Sequence, residues 1–236
     1  MTAWAGTETY SGKEMKQVAP TPTLPTCDWT GFYLGVHVGG QFGHSEDEDI
    51  DGYNLPEKRW GYSESGVVAG GQFGYNWQWR WLVVGPEFDI GYMNLPGRGP
   101  EPGSPGGDTH GESDGDFYTT LRGRVGVTLD WQGCWLIYGT GGAIGVNYTT
   151  RVIDDCVTGA CGPDLLDGRR TDFDWGYTVG GGIERMIGRH WSIKAEYLYY
   201  NLDDQRFTAR DSGGSTLNWR AETEGHIVRA GLNYKF

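Results

Sequence analysis

Apolar and polar residues alternate with a period of two along eight segments of the chain. In the second segment, Val67, Phe73 and Trp77 share one face, and Gln72 and Asn76 share the other. Alternation of this length is typical of β-strands that have one apolar and one polar face. The eight predicted strands span 30–44, 65–78, 80–93, 117–130, 134–149, 173–187, 190–202 and 223–236.

The connections between these strands alternate between two lengths. Tight turns are predicted around Gln78-Trp79, at 130–133 and around Gly188-Arg189. An up-and-down barrel produces this rhythm when all short turns lie at one end and all long loops at the other. The long connections are polar and rich in Gly, Asp and Glu, and they span 45–64, 94–116, 150–172 and 203–222.

Composition separates a membrane barrel from a helical membrane protein. The 236 residues include 41 Gly, aromatic residues make up 14%, and only 37% of the chain is hydrophobic. No apolar run approaches the roughly 18 residues that a membrane-spanning helix needs, whereas a membrane strand needs only about 9 to 11 alternating residues. The formal charge of −12 opposes binding to phosphate backbones, so nucleic acid is excluded as a partner.

Tryptophan placement favours a barrel that crosses a membrane. Seven of the eleven Trp lie at the short-turn ends of predicted strands, where amphipathic rings form a girdle at a membrane interface. The fold class predicted is therefore all-β, an eight-stranded antiparallel up-and-down transmembrane β-barrel. The seven residues are Trp29, Trp77, Trp79, Trp81, Trp131, Trp135 and Trp191.

Three motifs carry a family resemblance. WTGFYLGVHVGG (29–40), WLIYGTGGAIG (135–145) and the final HIVRAGLNYKF (226–236) resemble the eight-stranded outer-membrane β-barrel family of Gram-negative bacteria, which includes porin-like and OmpA-like surface antigens. The resemblance covers about 29–236. It implies location in the cell outer membrane, short periplasmic turns and long extracellular loops. It also implies that Tyr234 and Phe236 form a signal for the barrel-assembly machinery, although Phe236 alternatively only completes a girdle.

The first 28 residues are predicted to be a periplasmic extension that precedes the barrel at 29–236. Residues 17–25 (QVAPTPTLP) form an extended, Pro-spaced linker. Ala3-Trp4-Ala5 has the A-x-A form of a cleavage site. Residues 1–5 are therefore interpreted as a signal-peptide remnant, with Gly6 as the first mature residue, against the alternative that the short string is a chance match.

The four cysteines allow three pairings. In the proposed barrel, Cys27 and Cys134 lie at the periplasmic rim, and Cys156 and Cys161 share one extracellular loop. A disulfide requires Cα atoms about 5.5 Å apart, and the membrane band is about 25 Å tall. The barrel therefore predicts Cys27–Cys134 and Cys156–Cys161 bridges, and free thiols are the alternative.

The polar strand faces carry charged residues into the barrel interior. Four acids meet four bases there, and an unpaired buried charge costs several kcal/mol, so the groups are expected to pair. A salt-bridge plug is the favoured interpretation and a narrow ion path is the alternative. The eight residues are Glu87, Asp89, Arg122, Arg124, Glu184, Lys194, Glu196 and Arg229. On the third strand, Pro86 predicts either a bulge or an imperfect strand assignment, because a closed barrel has no free edge.

No metal or cofactor site is predicted. Asp47, Asp49 and Asp51 match the first half of a calcium-binding EF-hand loop, but Lys58 stands at the closing ligand position. A solvated acidic loop is the preferred interpretation, with weak divalent-ion bridging to lipopolysaccharide left open. The five histidines are scattered, without zinc-ligand spacing.

The predicted function is non-enzymatic: structural stabilisation of the outer membrane and surface contact, with outer-membrane lipid and lipopolysaccharide as partners. A small porin is the first alternative. A lipid-modifying enzyme that uses His44 and Ser45 is a weaker one, which rests on fold analogy. A soluble lipocalin-like barrel would turn the apolar stripes inward. The sequence leaves the oligomeric state open.

Overall fold

The computed structural model describes residues 27–51, 59–94, 96–100, 109–130, 132–154, 166–211 and 216–236. The predicted periplasmic extension up to residue 26, Trp131, and both Cys156 and Cys161 lie outside these ranges. The described residues form ten β-strands. Their bounds are β1 Gly31–Asp49, β2 Arg59–Trp79, β3 Leu82–Met93, β4 Gly97–Pro100, β5 Thr109–Thr128, β6 Trp135–Asp154, β7 Leu166–Met186, β8 Trp191–Leu202, β9 Gln205–Asp211 and β10 Thr216–Lys235.

The ten strands form a closed barrel with eight antiparallel strand positions, here called staves, because two of these positions are each occupied by two consecutive strands. The order β1-β2-β3-β5-β6-β7-β8-β10 follows the chain, and β10 pairs with β1 from Tyr33↔Lys235 to Asp49↔Trp219. The short strands β4 and β9 continue the staves of β3 and β8, because β4 pairs with β5 and β9 pairs with β10 and β7. The all-β, eight-stranded up-and-down barrel is thus confirmed.

The strands are longer than the sequence pattern indicates. β2 and β7 each have 21 residues and β1 has 19, which is well beyond the 9 to 11 or so that cross a membrane. The predicted long loops were wrong in this respect, since 45–49, 59–64, 109–116, 150–154 and 166–172 are strand. The barrel wall therefore rises above the membrane on the extracellular side.

An apolar belt surrounds the outside of the lower wall. Leu34, Val38, Phe73, Leu121 and Val228 are more than half exposed, while the residues that alternate with them are mostly buried and polar. The soluble lipocalin-like alternative is therefore wrong, because it requires the apolar stripes to face inward. The described residues contain no helix with the length and apolar character needed to span a membrane.

The short turns lie at the periplasmic rim. Arg80 and Trp81 make the β2–β3 turn, and Arg80 adopts φ 59°, so this turn lies two residues after the predicted position. Trp79 and Trp81 are 77% and 59% exposed and fit the predicted girdle. Trp29 does not, because it is buried and its indole N–H donates to the carbonyl of Gly133 at 2.7 Å.

Pro86 produces no bulge. It pairs in register with Gly123 on β5, and the β2–β3 ladder is only interrupted opposite it, between Gly74↔Glu87 and Trp77↔Val84. A register shift occurs instead on β5 between Gly115 and Phe117, at the top of the apolar belt. The missing Pro N–H is thus accommodated by a local gap in hydrogen bonding to β2.

A disulfide and the chain terminus tie the periplasmic rim together. Cys27 and Cys134 are bonded, with Cα atoms 5.0 Å apart, and the Cys27 N–H donates to the carbonyl of Gln132 at 2.8 Å. The Lys235 ammonium donates to the carbonyls of Asp28 and Thr30. The segment before β1 is thereby held against both the β5–β6 turn and the end of β10.

Candidate functional site

Eight charged side chains meet inside the membrane-spanning part of the barrel, and together they are called the lower lumen network. They point inward because each alternates with a residue of the apolar belt. Every one is at most 3% exposed, so side chains fill this cross-section. β3 supplies Glu87 and Asp89, β5 Arg122 and Arg124, β7 Glu184, β8 Lys194 and Glu196, and β10 Arg229.

Arg122 lies at the centre of the network. Its guanidinium contacts Glu87 at 2.5 Å, Asp89 at 2.8 Å and Glu196 at 3.2 Å. It therefore bridges carboxylates from two separate staves, β3 and β8. A planar guanidinium with five N–H donors is suited to this arrangement, because it can hold several carboxylates in fixed directions.

Arg124 extends the network toward the periplasmic rim. It contacts Glu184 at 2.7 Å and Glu87 at 3.3 Å. Its guanidinium carbon lies 4.3 Å from the ring centroid of Tyr138 and 5.5 Å from that of Tyr33. The aromatic faces stabilise the cation and occupy the space beside it.

Lys194 and Arg229 complete the pairing. The Lys194 ammonium is 3.0 Å from Glu87, and Arg229 contacts Asp89 at 2.8 Å and also pairs with Glu196. Each of the four bases thus has a carboxylate partner, and each of the four acids has a basic one. The formal charge of the network is zero.

Neutral side chains surround the charged ones, and the sequence analysis did not single them out. The Tyr33 hydroxyl donates to Glu87 at 2.8 Å, and Ser192 and Asn233 donate to Glu184 at 2.5 and 2.8 Å. His37 is within 2.5 Å of the Tyr118 hydroxyl. These residues share the inward parity of the charged ones, and that parity was the signal that could have identified them.

A second group of polar side chains fills the lumen above the belt. This upper lumen cluster consists of Ser45, Asp47, Tyr62, Glu64, Ser113, Tyr148 and Thr223, all buried. One oxygen of Glu64 accepts hydrogen bonds from Ser45 at 2.8 Å, Ser113 at 2.5 Å and Tyr148 at 2.9 Å. Burial raises the pKa of the Glu64 carboxyl, and the hydroxyl donors oppose that rise.

Asp47 is buried rather than part of a solvated acidic loop. Burial and the nearby Glu64 charge raise the pKa of Asp47 to about 7, and the Tyr62 hydroxyl partly offsets this effect. Asp51 lies apart, where it accepts hydrogen bonds from Asn218, and the side chain of Asp49 is not described. The calcium-loop alternative gains no support, because no three acidic, His or Cys side chains converge within the described ranges.

His44 and Ser45 lie on opposite faces of β1. The His44 ring points outward, 3.8 Å from Glu46, whereas the Ser45 hydroxyl is buried and donates to Glu64. A hydroxyl nucleophile needs a base within hydrogen-bonding distance. These two residues therefore do not form the catalytic pair that the enzyme alternative required.

The C-terminal aromatics lie on the outer surface of the barrel at the periplasmic end. Phe236 is 72% exposed, and its ring packs edge-on against Tyr234 with centroids 5.3 Å apart. Tyr234 also packs against Trp191 at 5.0 Å. The Phe236 N–H donates to the carbonyl of Phe32 at 3.0 Å, so the terminus is paired to β1.

A closed ring of eight antiparallel staves with an apolar outer belt and a polar lumen defines a transmembrane β-barrel of the outer-membrane class. Residues 18–236 match a family model described as outer membrane protein beta-barrel domain. The chain belongs to this family and is a protein of the outer membrane.

Relatives and a solved structure agree with this assignment. The chain is 32% identical to the 31 kDa outer-membrane immunogenic protein of Brucella melitensis, over 92% of this chain and 88% of that protein. It is 30% identical to the 22 kDa outer membrane protein of Rhizobium leguminosarum bv. viciae, over 91% and 82%. The outer membrane protein OprG of Pseudomonas aeruginosa shares the fold, with a TM-score of 0.60 at 14% identity over 90% of this chain and 99% of that one.

Proposed function

We propose that this outer-membrane barrel has a closed lumen and acts without enzymatic activity, by stabilising the outer membrane and by surface contact. The lower lumen network is the observation that carries the proposal. Its eight side chains from β3, β5, β7, β8 and β10 are buried and joined by ion pairs across the barrel. An eight-stranded barrel is just wide enough for side chains to fill, so such a network blocks it.

The charge balance of the network also opposes ion conduction. Ion-selective pores are lined by groups of one charge or by carbonyls that remain available to the ion. Here the carboxylates of Glu87, Asp89 and Glu196 are occupied by Arg122, Lys194 and Arg229. An entering ion would have to break buried pairs in a region of low dielectric, which costs several kcal/mol.

The raised wall supports a role in surface contact. β1, β2, β5, β6, β7 and β10 continue past the apolar belt, and polar residues such as Glu46, Thr149, Arg169 and Glu224 face outward there. The related Brucella melitensis protein is named an immunogenic protein. We infer that the corresponding part of this barrel is exposed to the surroundings of the cell.

The proposed partners are outer-leaflet lipopolysaccharide and the barrel-assembly machinery. The exposed Phe236 and the neighbouring Tyr234, at the end of the strand that closes the ring, support recognition of the terminus by that machinery. Outward polar and charged residues directly above the belt support contact with the lipid headgroup layer.

Planar-bilayer recording tests the closed lumen. The unmodified protein is expected to give no steady current, because the network fills the cross-section. The double variant Arg122→Ala/Glu196→Ala removes two central side chains together and is expected to conduct. Arg185→Ala, an exposed arginine on the outer face of β7, is the matched control and should stay silent. Large, stable, ion-selective currents from the unmodified protein would establish the porin alternative instead.

A further inference from the structure

Three arginines lie in one cross-strand row on the extracellular outer wall. Arg98 of β4 pairs in register with Glu112 of β5, Glu112 with Arg151 of β6, and Arg151 with Arg169 of β7. Arg98 and Arg169 are exposed and the other two are half-buried. These four residues are called the Arg row.

The Arg row faces outward, because the residues that alternate with it point into the lumen. Gly111 and Ser113 flank Glu112 on β5, Val152 follows Arg151 on β6, and all three are buried. The row lines a recess of about 560 Å³ in the outer wall, next to the break between β3 and β4. The lining also includes Asp114 and the buried Ser113, so the recess extends from the outer wall toward the upper lumen cluster, with the three arginines of the row on its outward side.

The height of the row places it in the headgroup layer. The aromatic residues of the belt end at Phe117 and Phe173, whose rings are 6.4 Å apart. On β7, Arg169 lies four residues beyond Phe173, which corresponds to roughly 13 Å along the strand and about 10 Å in height at a typical barrel tilt. Headgroups occupy about 5 to 8 Å on each side of the hydrocarbon core, so the backbone of Arg169 lies just above this layer. Its long side chain can extend back toward the membrane and bring the guanidinium group into the polar layer.

The pairing of Arg151 with Arg169 places two guanidinium groups directly opposite each other on the outer face of the wall. Like charges in this position are destabilising unless anions lie beside them. Glu112, in register with Arg151 on β5, supplies one carboxylate, and a phosphate between the two arginines would add a second anion. The formal charge of the whole chain is −12, so a concentration of cations at this height is a local feature. Guanidinium groups bind phosphate through two parallel hydrogen bonds, and two adjacent ones can hold a single phosphate between them.

The opposite wall at the same height has the reverse charge. On the outer face of β1 and β10, Glu46 pairs in register with Glu222, and His44 with Glu224. Two arginines are also present there, and both are paired with acids of this wall. Arg59 lies 3.2 Å from Glu48 and 3.9 Å from Glu222, and Arg220 lies 3.4 Å from Glu222. A phosphate group is therefore attracted to the β4–β7 side and repelled from the β1–β10 side.

We propose that the Arg row binds the phosphate groups of the outer-leaflet glycolipid, with Arg151 and Arg169 clamping one phosphate and Arg98 at the far end of the recess. The hydroxyls of Thr149 and Thr171, 3.0 Å apart just below the arginines, add hydrogen-bonding groups for a sugar or phosphate oxygen. The inference rests on the proposed contact with lipopolysaccharide and assigns that contact to one side of the barrel.

The experiment compares lipid A carrying both phosphates with the same lipid A after enzymatic removal of its phosphates. The full-length protein is refolded into phosphatidylcholine nanodiscs, and binding of each lipid is titrated in the presence of EDTA, so that divalent ions cannot bridge to the acidic wall. Folding of every variant is checked by the gel shift on heating. The unmodified protein should bind the phosphorylated form at least about tenfold more tightly.

Arginine variants then locate the site. Arg151→Gln/Arg169→Gln should lose the preference for phosphorylated lipid, and Arg151→Lys/Arg169→Lys should retain only part of it, because lysine lacks the planar fork. Arg59→Gln, the matched control on the acidic wall, should keep the full preference.

Three results would overturn the assignment. If the unmodified protein shows no preference, both the site and the proposed lipopolysaccharide contact fail. If the preference exists but survives Arg151→Gln/Arg169→Gln, only the site fails. If inorganic phosphate alone binds the row as tightly as the phosphorylated lipid does, the row is a site for free phosphate and not for a lipid.

Discussion

The lower lumen network and the upper lumen cluster bury polar groups in two different ways. In the lower network, Arg122 alone contacts three carboxylates, and each acid has a basic partner. In the upper cluster, Glu64 accepts from three hydroxyl groups, and no ion pair to Glu64 or Asp47 is present among the described residues. The charges of the lower network are thus neutralised by ion pairing. The carboxyl groups of the upper cluster depend instead on hydroxyl donors and on their own protonation.

The position of each layer relative to the membrane explains this difference. The lower network lies inside the apolar belt, where water is excluded around the barrel and an uncompensated charge is costly. The upper cluster lies above Phe42 and Val67, outside that belt. A carboxylate there can exist as a neutral acid at moderate pH, which removes the need for a cation. The two layers are therefore expected to respond differently to substitution and to pH.

Removing a cation from the lower network should have the largest effect. Arg122→Ala leaves Glu87, Asp89 and Glu196 without their central partner, and a broken buried ion pair costs about 3–5 kcal/mol. Urea unfolding in lipid vesicles, followed by tryptophan fluorescence, measures the change. Arg185→Ala on the outer face should change the free energy of unfolding by less than about 1 kcal/mol. A small effect of Arg122→Ala would mean that water reaches the network.

Removing the Asp47 carboxyl from the upper cluster should stabilise the protein at high pH. The pKa of Asp47 is about 7 in the folded protein against 3.8 for an exposed Asp, so the folded state holds the proton more tightly. The contribution of this group to stability is therefore complete below about pH 4 and declines as the pH rises to about 7, by up to about 4 kcal/mol.

Asp47→Asn tests that contribution by unfolding at pH 4 and at pH 8. The variant should match the unmodified protein at pH 4 and exceed its stability at pH 8. Asp172→Asn, at a largely exposed carboxylate, should show no such difference. Equal pH profiles for Asp47→Asn and the unmodified protein would show that Asp47 ionises as an exposed carboxyl does.

Removing one tyrosine hydroxyl from each layer compares the two layers through smaller changes in the free energy of unfolding. Tyr33 donates to Glu87 at 2.8 Å in the lower network, and Tyr148 donates to Glu64 at 2.9 Å in the upper cluster. Tyr33→Phe should cost about 1.5–3 kcal/mol, because its acceptor is a charged, paired carboxylate. Tyr148→Phe should cost about 0.5–1.5 kcal/mol, and less as the pH falls, since the raised pKa of Glu64 favours its neutral form.

The same unfolding assay at pH 5 and pH 8 measures both substitutions. Tyr92→Phe on the lipid-facing surface serves as the control for loss of a hydroxyl. Equal losses of unfolding free energy for Tyr33→Phe and Tyr148→Phe at both pH values would contradict the distinction between the two layers. In that case, the carboxyl groups of the lower network and of the upper cluster would not differ in charge state.

The alternation of the sequence predicted the lower half of the barrel well. A strict period of two identified each stave, because lipid outside and side chains inside impose opposite demands on alternate residues, as with Val125 beside Arg124. The same parity directed Glu87, Arg122 and Arg229 into the lumen. The alternation could not predict which acid pairs with which base, because the ion pairs depend on the order and the tilt of the staves.

The strands of the upper wall were not predicted, because the contrast between an apolar outer face and a polar inner face disappears above the membrane. In β2, Arg59, Gly61 and Ser63 face outward, and Tyr62 and Glu64 face inward, so both faces are polar. Such a stretch has the composition of a loop. Its parity nevertheless continues unbroken into the inward-facing Val68 and Gln72, and that continuity was the signal available for extending the strand.

The pairing of β1 with β10 has a consequence for the order of folding. Tyr33 lies opposite Lys235, so the first stave gains its second neighbour only when the eighth stave is in place. Until residues 216–236 arrive, the chain is an open sheet whose β1 and β8 edges expose unpaired backbone groups, which is a template for aggregation. Copies of the chain must therefore be kept apart until the eighth stave has paired with the first.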